Sequence, residues 1–200
     1  MTEEAPVQVL LAGGIGSGKS AVGELLEERG ARVIDADRVG HQVLESDRDV
    51  AQAVAQRWPG TVHDGQVDRP ALAGMVFSHP DELRALEQLT HPPIRRRLLG
   101  LVKEAREPIV VVEVPLLDDF MGQGWRRVVV DAPASVRAAR LRARGMSAGD
   151  IERRMAVQPE RRAWLEAADY VVDNSGDQED LEREVDRLWS WLLAFSAGGR

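Results

Sequence analysis

Val7-Gln8-Val9-Leu10-Leu11-Ala12-Gly13-Gly14-Ile15-Gly16-Ser17-Gly18-Lys19-Ser20 is the stretch from which the rest of the chain is read. Residues 7 to 12 form an apolar run ending in glycines, the signature of a strand buried on both faces of a parallel sheet. Val22, Leu25 and Leu26 then recur at helical spacing. Strand, tight turn and helix follow in order.

Gly13, Gly18, Lys19 and Ser20 satisfy the pattern G-x-x-x-x-G-K-[ST]. Glycines let the backbone turn with its N–H groups pointing inward, and a helix starting near Lys19 adds its positive end, which together make an anion nest. Lys19 would reach the β- and γ-phosphates of a nucleotide, and the Ser20 hydroxyl would ligate Mg²⁺. The competing interpretation is a glycine-rich turn with an incidental lysine. Against it, only Lys19 and Lys103 among the 26 basic residues are lysine.

Working outward, residues 31–34, 109–114, 127–130 and 170–172 read as further strands, rich in valine and alternating with helical stretches. That alternation predicts βαβ units and a parallel sheet with helices on both faces. Between Asp37 and Glu107 no strand is evident, only helical patterns broken at Pro59-Gly60, Asp64-Gly65 and Pro92-Pro93. Asp68 ahead of Arg69-Pro70 reads as a helix N-cap. Residues 134–144 read as helix, Gly145 as a break, 147–167 as a charged helical run, and 178–195 as a closing amphipathic helix. In that last helix Trp189 and Trp191 are not expected to face the core together.

Composition narrows the classes. The chain has 200 residues and is 44% hydrophobic and 30% charged, which fits one globular domain. It has no cysteine, so disulfides and a thiol nucleophile are excluded. No apolar run reaches the ~18 residues of a membrane span, and the acidic start is unlike a secretory signal, so the expected compartment is cytoplasmic. A net charge of −7 argues against a nucleic-acid-binding surface.

A switch GTPase would need a base-reading Asn-Lys-x-Asp segment, which is absent from the sequence. The small size points to a small-molecule kinase in which an insertion and a lid close over two substrates. Asp35-Ala36-Asp37 follows the second strand, and strand carboxyl ends face the ligand crevice in open α/β sheets. A carboxylate there can deprotonate an attacking hydroxyl; as an alternative, either aspartate can cap the next helix.

Taken together, Gly13 to Ser20, Val33-Ile34-Asp35-Ala36-Asp37, Asp68-Arg69-x-Ala71-Leu72, Thr90-His91-Pro92, Val114-Pro115-Leu116-Leu117, and Ala168-Asp169 with Asp173-Asn174-Ser175-Gly176 resemble the dephospho-CoA kinase family. The motifs run in the family's order from about residue 7 to 185. The resemblance implies a P-loop NTPase three-layer α/β sandwich with a parallel five-stranded sheet, a helical CoA-binding insertion over about 37–107 and a lid over about 140–167, all within a single kinase domain spanning 1–200. It implies transfer of the ATP γ-phosphoryl group to the ribose 3′-hydroxyl of dephospho-CoA, in a monomer or weak homo-oligomer.

By the same resemblance Asp37 falls on the general base and Asp35 on its companion acid. Gly14, Ile15, Gly16, Ser17, Gly18, Lys19, Ser20 and Ala21 would hold the nucleotide, with Arg140 and Arg144 in an R-L-x-x-R lid segment and Arg144 touching the transferred phosphate. His91 would meet the acceptor. Ala12, Ala21, His41 and Glu113 depart from the family's usual residues, and His41 puts a substrate contact from its helix in doubt. Arg137 is read as a solvated residue; Arg153, Arg154, Arg161 and Arg162 either meet phosphates when the lid closes or pair with Glu152, Glu160 and Glu166, and the pairing is the expectation for most of them. Two rival functions remain open: a nucleoside or nucleotide kinase on the same scaffold, and a regulatory module that binds ATP without needing Asp37 as a base.

Overall fold

Every second residue of the central strand is driven into one core and the alternate residues into another, so Val9, Leu10, Leu11 and Ala12 are all buried. Full burial of a valine or leucine contributes about 1.5–3 kcal/mol, and this is why an uninterrupted apolar run becomes the middle of a sheet. In the computed structural model, which describes residues 6–115 and 120–197 (side chains to 195), that strand is β1 (Val7–Ala12). The chain then runs α1 (Lys19–Glu28), β2 (Arg32–Asp35), α2 (Ala36–Ser46), α3 (Arg48–Arg57), β3 (Val62–His63), β4 (Gln66–Val67), α4 (Arg69–Val76) and α5 (Pro80–Glu104). It continues with β5 (Ile109–Glu113), β6 (Arg126–Asp131), α6 (Ala134–Ala143), α7 (Ala148–Ala156), α8 (Arg161–Glu166), β7 (Tyr170–Asp173) and α9 (Gln178–Ala197).

The chain divides into two compact units, one of residues 1–34 with 105–200 and the other of residues 35–104. The first carries a five-stranded parallel sheet in the order β2-β5-β1-β6-β7. β1 lies between β5 and β6, with Leu11 opposite Glu113 on one side and Ala12 opposite Val129 on the other. Helices α1 and α9 pack together over one face, closing a core of Val9, Leu11, Val22, Leu26, Val185 and Leu188.

Neither tryptophan of α9 belongs to the buried core, as expected, and both pack partly buried against its edges. Leu188 and Leu192 lie at the centre of the buried stripe. Trp189 and Trp191 are each about 100° of helix rotation from one of them, on opposite edges of the stripe. Trp191 meets Tyr170 at a ring-centroid distance of 5.1 Å.

The second unit is helical, with α2, α3 and α4 each packed on α5. Its helices start on aspartates: Asp35 caps α2, Asp47 caps α3, and Asp68 caps α4 by accepting from Ala71 N at 3.0 Å. Two expectations fail here. A small antiparallel hairpin joins β3 to β4, turning at Asp64 (φ 51°) and Gly65 (φ 78°), the consecutive positive values of a type I′ turn. The strands are two residues each, too short for any alternation to show.

Helix α5 runs straight through Pro92 and Pro93, where a break was expected. Each proline removes one backbone donor, but Thr90, Pro93, Leu98 and Val102 are buried along α5. Tertiary burial outweighs the local penalty. The run 147–167 in turn is not one helix but α7 and α8, parted at 157–160 around Pro159.

Candidate active site

The turn between β1 and α1 is built from its glycines. Gly18 stands at the N-cap of α1 with φ 99°, a left-handed value that favours glycine. No side chain caps α1, so its first N–H groups face outward without a protein acceptor in the cap position. An uncapped helix start behind a glycine loop is a ready anion site.

Internal bonds hold the loop in shape. Ser17 N–H donates to Gly14 O at 3.0 Å, and Lys19 Nζ donates to Gly13 O at 2.8 Å. Ser17 is buried, and its Oγ has no hydrogen-bond partner among the described residues. Ser20 is exposed on the first turn of α1.

Four side chains from distant segments brace the same loop. Buried Asn174, just past β7, donates from Nδ2 to Ser17 O at 2.8 Å and accepts at Oδ1 from Arg140 Nη2 at 3.1 Å. Arg140 also donates to Ser17 O at 3.3 Å, so the carbonyl is met from two sides. Arg137 donates to Ile15 O at 3.4 Å, and burial lowers its pKa from the ordinary arginine value. It is therefore not the solvated residue expected from the arginine-rich composition. Gln158, between α7 and α8, accepts from Ile15 N–H at 2.9 Å.

Arg161 also departs from expectation. It donates to Asp131 at the end of β6, with Nη2 to Oδ2 at 2.6 Å and Nε to Oδ1 at 3.0 Å, instead of pairing with a glutamate on its own helix. The Asp131 carboxylate raises the Arg161 pKa, first through the hydrogen bond and then through its charge. Arg162 does pair with Glu166 as the spacing predicts, and Arg153 pairs with Asp150. Arg144 ends α6 with an exposed side chain.

Glu113 closes β5, and a methyl group built on Gly23 of α1 would collide with its Oε1. Its carboxylate thus lies against α1, one turn beyond Ser20. Among the described residues no group of three or more His, Cys, Asp or Glu side chains could hold a metal alone. The Ser20 hydroxyl and the nearby carboxylate instead suit a hard cation that brings phosphate oxygens with it.

Within the helical unit, Asp35 accepts from Arg38 N–H at 3.1 Å as the N-cap of α2, and Asp37 is exposed in the first turn of that helix. Asp35 therefore does fill the capping role. His91 sits inside α5. His41 Nε2 is 2.6 Å from Arg69 Nη2, next to a cavity of about 730 Å³ lined by Glu45, Asp68 and Arg69. Leu116 and Leu117 of the Val-Pro-Leu-Leu motif lie outside the described residues.

Sequence reading missed Asn174 and Gln158 as loop contacts. Asn174 was legible as part of a motif, but nothing local reveals which backbone group it meets.

Residues 7–180 match the profile of the family described as dephospho-CoA kinase. A dephospho-CoA kinase of Corynebacterium jeikeium is 38% identical over 193 residues, covering 93% of this chain and all of that protein. A crystal structure from Thermus thermophilus superposes with a TM-score of 0.81 at 33% identity, over 94% of this chain and 99% of that one. The dephospho-CoA kinase structure from Campylobacter jejuni, at 21% identity and a TM-score of 0.70 over 96% and 98% of the two chains, shares the fold. A glycine-rich loop ahead of an uncapped helix, in a chain matched from its first strand to its last helix, places this protein in the dephospho-CoA kinase family.

Proposed function

We propose that this protein transfers the γ-phosphoryl group of ATP to the ribose 3′-hydroxyl of dephospho-CoA, giving CoA and ADP. The observation that carries the reading is the family match from residue 7 to 180, which takes in every motif from the phosphate loop to Asn174. The loop and first helical turn from Gly14 to Ala21 cradle the phosphates through those N–H groups that no protein acceptor holds, and Lys19 swings from Gly13 O to the β- and γ-phosphates. The Ser20 hydroxyl, with the Glu113 carboxylate beside α1, would hold Mg²⁺ on the nucleotide. Such a metal would supply charge neutralisation at the phosphate oxygens.

Asp37 accepts the proton of the 3′-hydroxyl. The freed oxygen forms its bond to the γ-phosphorus as the bond from that phosphorus to the β,γ-bridging oxygen breaks, and ADP leaves with that electron pair. What supports this role is chain continuity: Asp37 stands two residues past the end of β2, and strand carboxyl ends carry the ligand crevice in such sheets. Asp35 caps α2 and so fixes the backbone from which Asp37 projects. Arg140 and Arg144 offset the charge of the phosphoryl group in flight. Residues 37–107 serve the acceptor, with His91 touching it, and 140–167 act as the lid.

No described helix is long and apolar enough to cross a membrane; a cytoplasmic monomer or weak homo-oligomer that binds no nucleic acid fits this and the acidic charge. An ADP-release assay with dephospho-CoA, adenosine, AMP and CMP as acceptors tests the reading. Turnover of dephospho-CoA is expected, and turnover of a nucleotide without it would overturn the assignment.

A further inference from the structure

Ile15 offers the one backbone donor of the phosphate loop that is met by a side chain from the segment between α7 and α8. Gln158 Oε1 accepts it at 2.9 Å across 143 residues of sequence. Ser17 N–H is spent on Gly14 O. Among the described residues the N–H groups of Gly16 and Gly18 make no hydrogen bond. Gln158 thus holds the rim of the loop and leaves the nest for phosphate oxygens.

The approach is close on both sides. A methyl group built on Gly14 would collide with Arg137 Nη1 and lie 3.3 Å from Gln158 Oε1. Arg137 takes the Ile15 carbonyl while Gln158 takes the Ile15 N–H. The Gly14–Ile15 backbone is therefore clamped by two side chains, and one of them is on the segment that also anchors through Arg161 to Asp131.

A carboxylate at position 158 would accept from Ile15 N–H more strongly than a carboxamide does. It would also put a negative charge at the mouth of a nest built for a triphosphate. A neutral acceptor satisfies the N–H without repelling the ligand. We infer that Gln158 is a positioning residue for ATP, that it keeps its bond to Ile15 with nucleotide bound, and that its neutrality is required for nucleotide affinity. This rests on the reading of the loop as the ATP site and adds to it a contact from outside the loop.

The test is equilibrium binding of ATP with Mg²⁺, without acceptor, to the full chain and to Gln158→Ala and Gln158→Glu, together with the thermal midpoint of each. Because no acceptor is present, a wrong acceptor assignment leaves both results intact. Gln158→Ala is expected to weaken ATP about tenfold, the effect of one lost hydrogen bond that orders the loop, with the thermal midpoint within a few degrees. Gln158→Glu is expected to weaken ATP by about a further tenfold at pH 8, and to recover toward the alanine variant as the pH falls through the ordinary glutamate range, to about 4, and the carboxyl gains its proton. A merely structural glutamine would give no such pH-dependent difference between the two variants. Unchanged or tighter ATP binding by Gln158→Ala, or a Gln158→Glu profile parallel to that of Gln158→Ala, would overturn the inference.

Discussion

Asn174 donates from Nδ2 to the carbonyl of Ser17 at 2.8 Å, joining the loop after the last strand to the loop after the first. Its own backbone N–H is held by Asp131 O at 2.8 Å, so the side chain starts from a fixed point. A methyl group built on Gly18 would strike the same Nδ2.

Asn174→Ala removes a buried donor and strips Arg140 of one acceptor. A loss of about 1–3 kcal/mol in unfolding free energy is expected, with KM for ATP rising more than KM for the acceptor. Denaturant titration and steady-state kinetics measure the two effects, and an equal rise in both KM values would contradict a role at the nucleotide loop.

Asp37 and Asp35 separate by substitution. Asp37→Asn should lower kcat by roughly 10²-fold or more while leaving ATP affinity near wild type. Asp35→Asn keeps a good N-cap and should cost little, whereas Asp35→Ala should lose about 1 kcal/mol of helix stability. Full turnover by Asp37→Asn would remove it as the base and favour a module that only binds ATP.

Arg161 and Asp131 form a pair in which the carboxylate is buried and the guanidinium half-exposed. Arg161→Ala leaves the carboxylate without its partner and should lower the unfolding midpoint. The double variant with Asp131→Asn should cost less than the sum of the single changes, because the coupling is lost once. Additive single effects in a double-mutant cycle would count against the pair.

Asp150 gives a pH signature. The Ser147 hydroxyl, first, and then Arg153 hold its carboxyl below the ordinary value. A folded-state pKa below the unfolded one contributes stability at pH values above the unfolded pKa, and that stability is lost as the pH falls through the folded value. Asp150→Asn should therefore loosen α7 near neutral pH and make progressively less difference as the pH falls through the depressed folded-state value. Hydrogen exchange in residues 148–156 reads this out, and a difference that grows toward acid would reverse the sign.

Five strands were legible because each is a short run carrying valine, isoleucine or leucine between helical stretches, and β5 and β7 end within one residue of expectation. The phosphate loop was legible because its glycines, Lys19 and Ser20 are contiguous. The hairpin was not, since two-residue strands have no period. The continuous α5 was not, since the prolines speak locally and the packing that overrides them is distant. Arg137 carried no distinguishing mark among the chain's many arginines.

The sequence by itself determined the phosphate-binding chemistry and the parallel α/β class, because both are written in neighbouring residues through backbone freedom and hydrophobic period. Only the tertiary structure decided that β1 lies between β5 and β6, that Asp131 holds Arg161, and that Arg137, Gln158 and Asn174 brace the loop at Ile15 and Ser17. These are pairings of polar groups far apart in the chain. Their partners are selected by which donor or acceptor the folded backbone leaves unsatisfied at that point in space, and no local pattern encodes that.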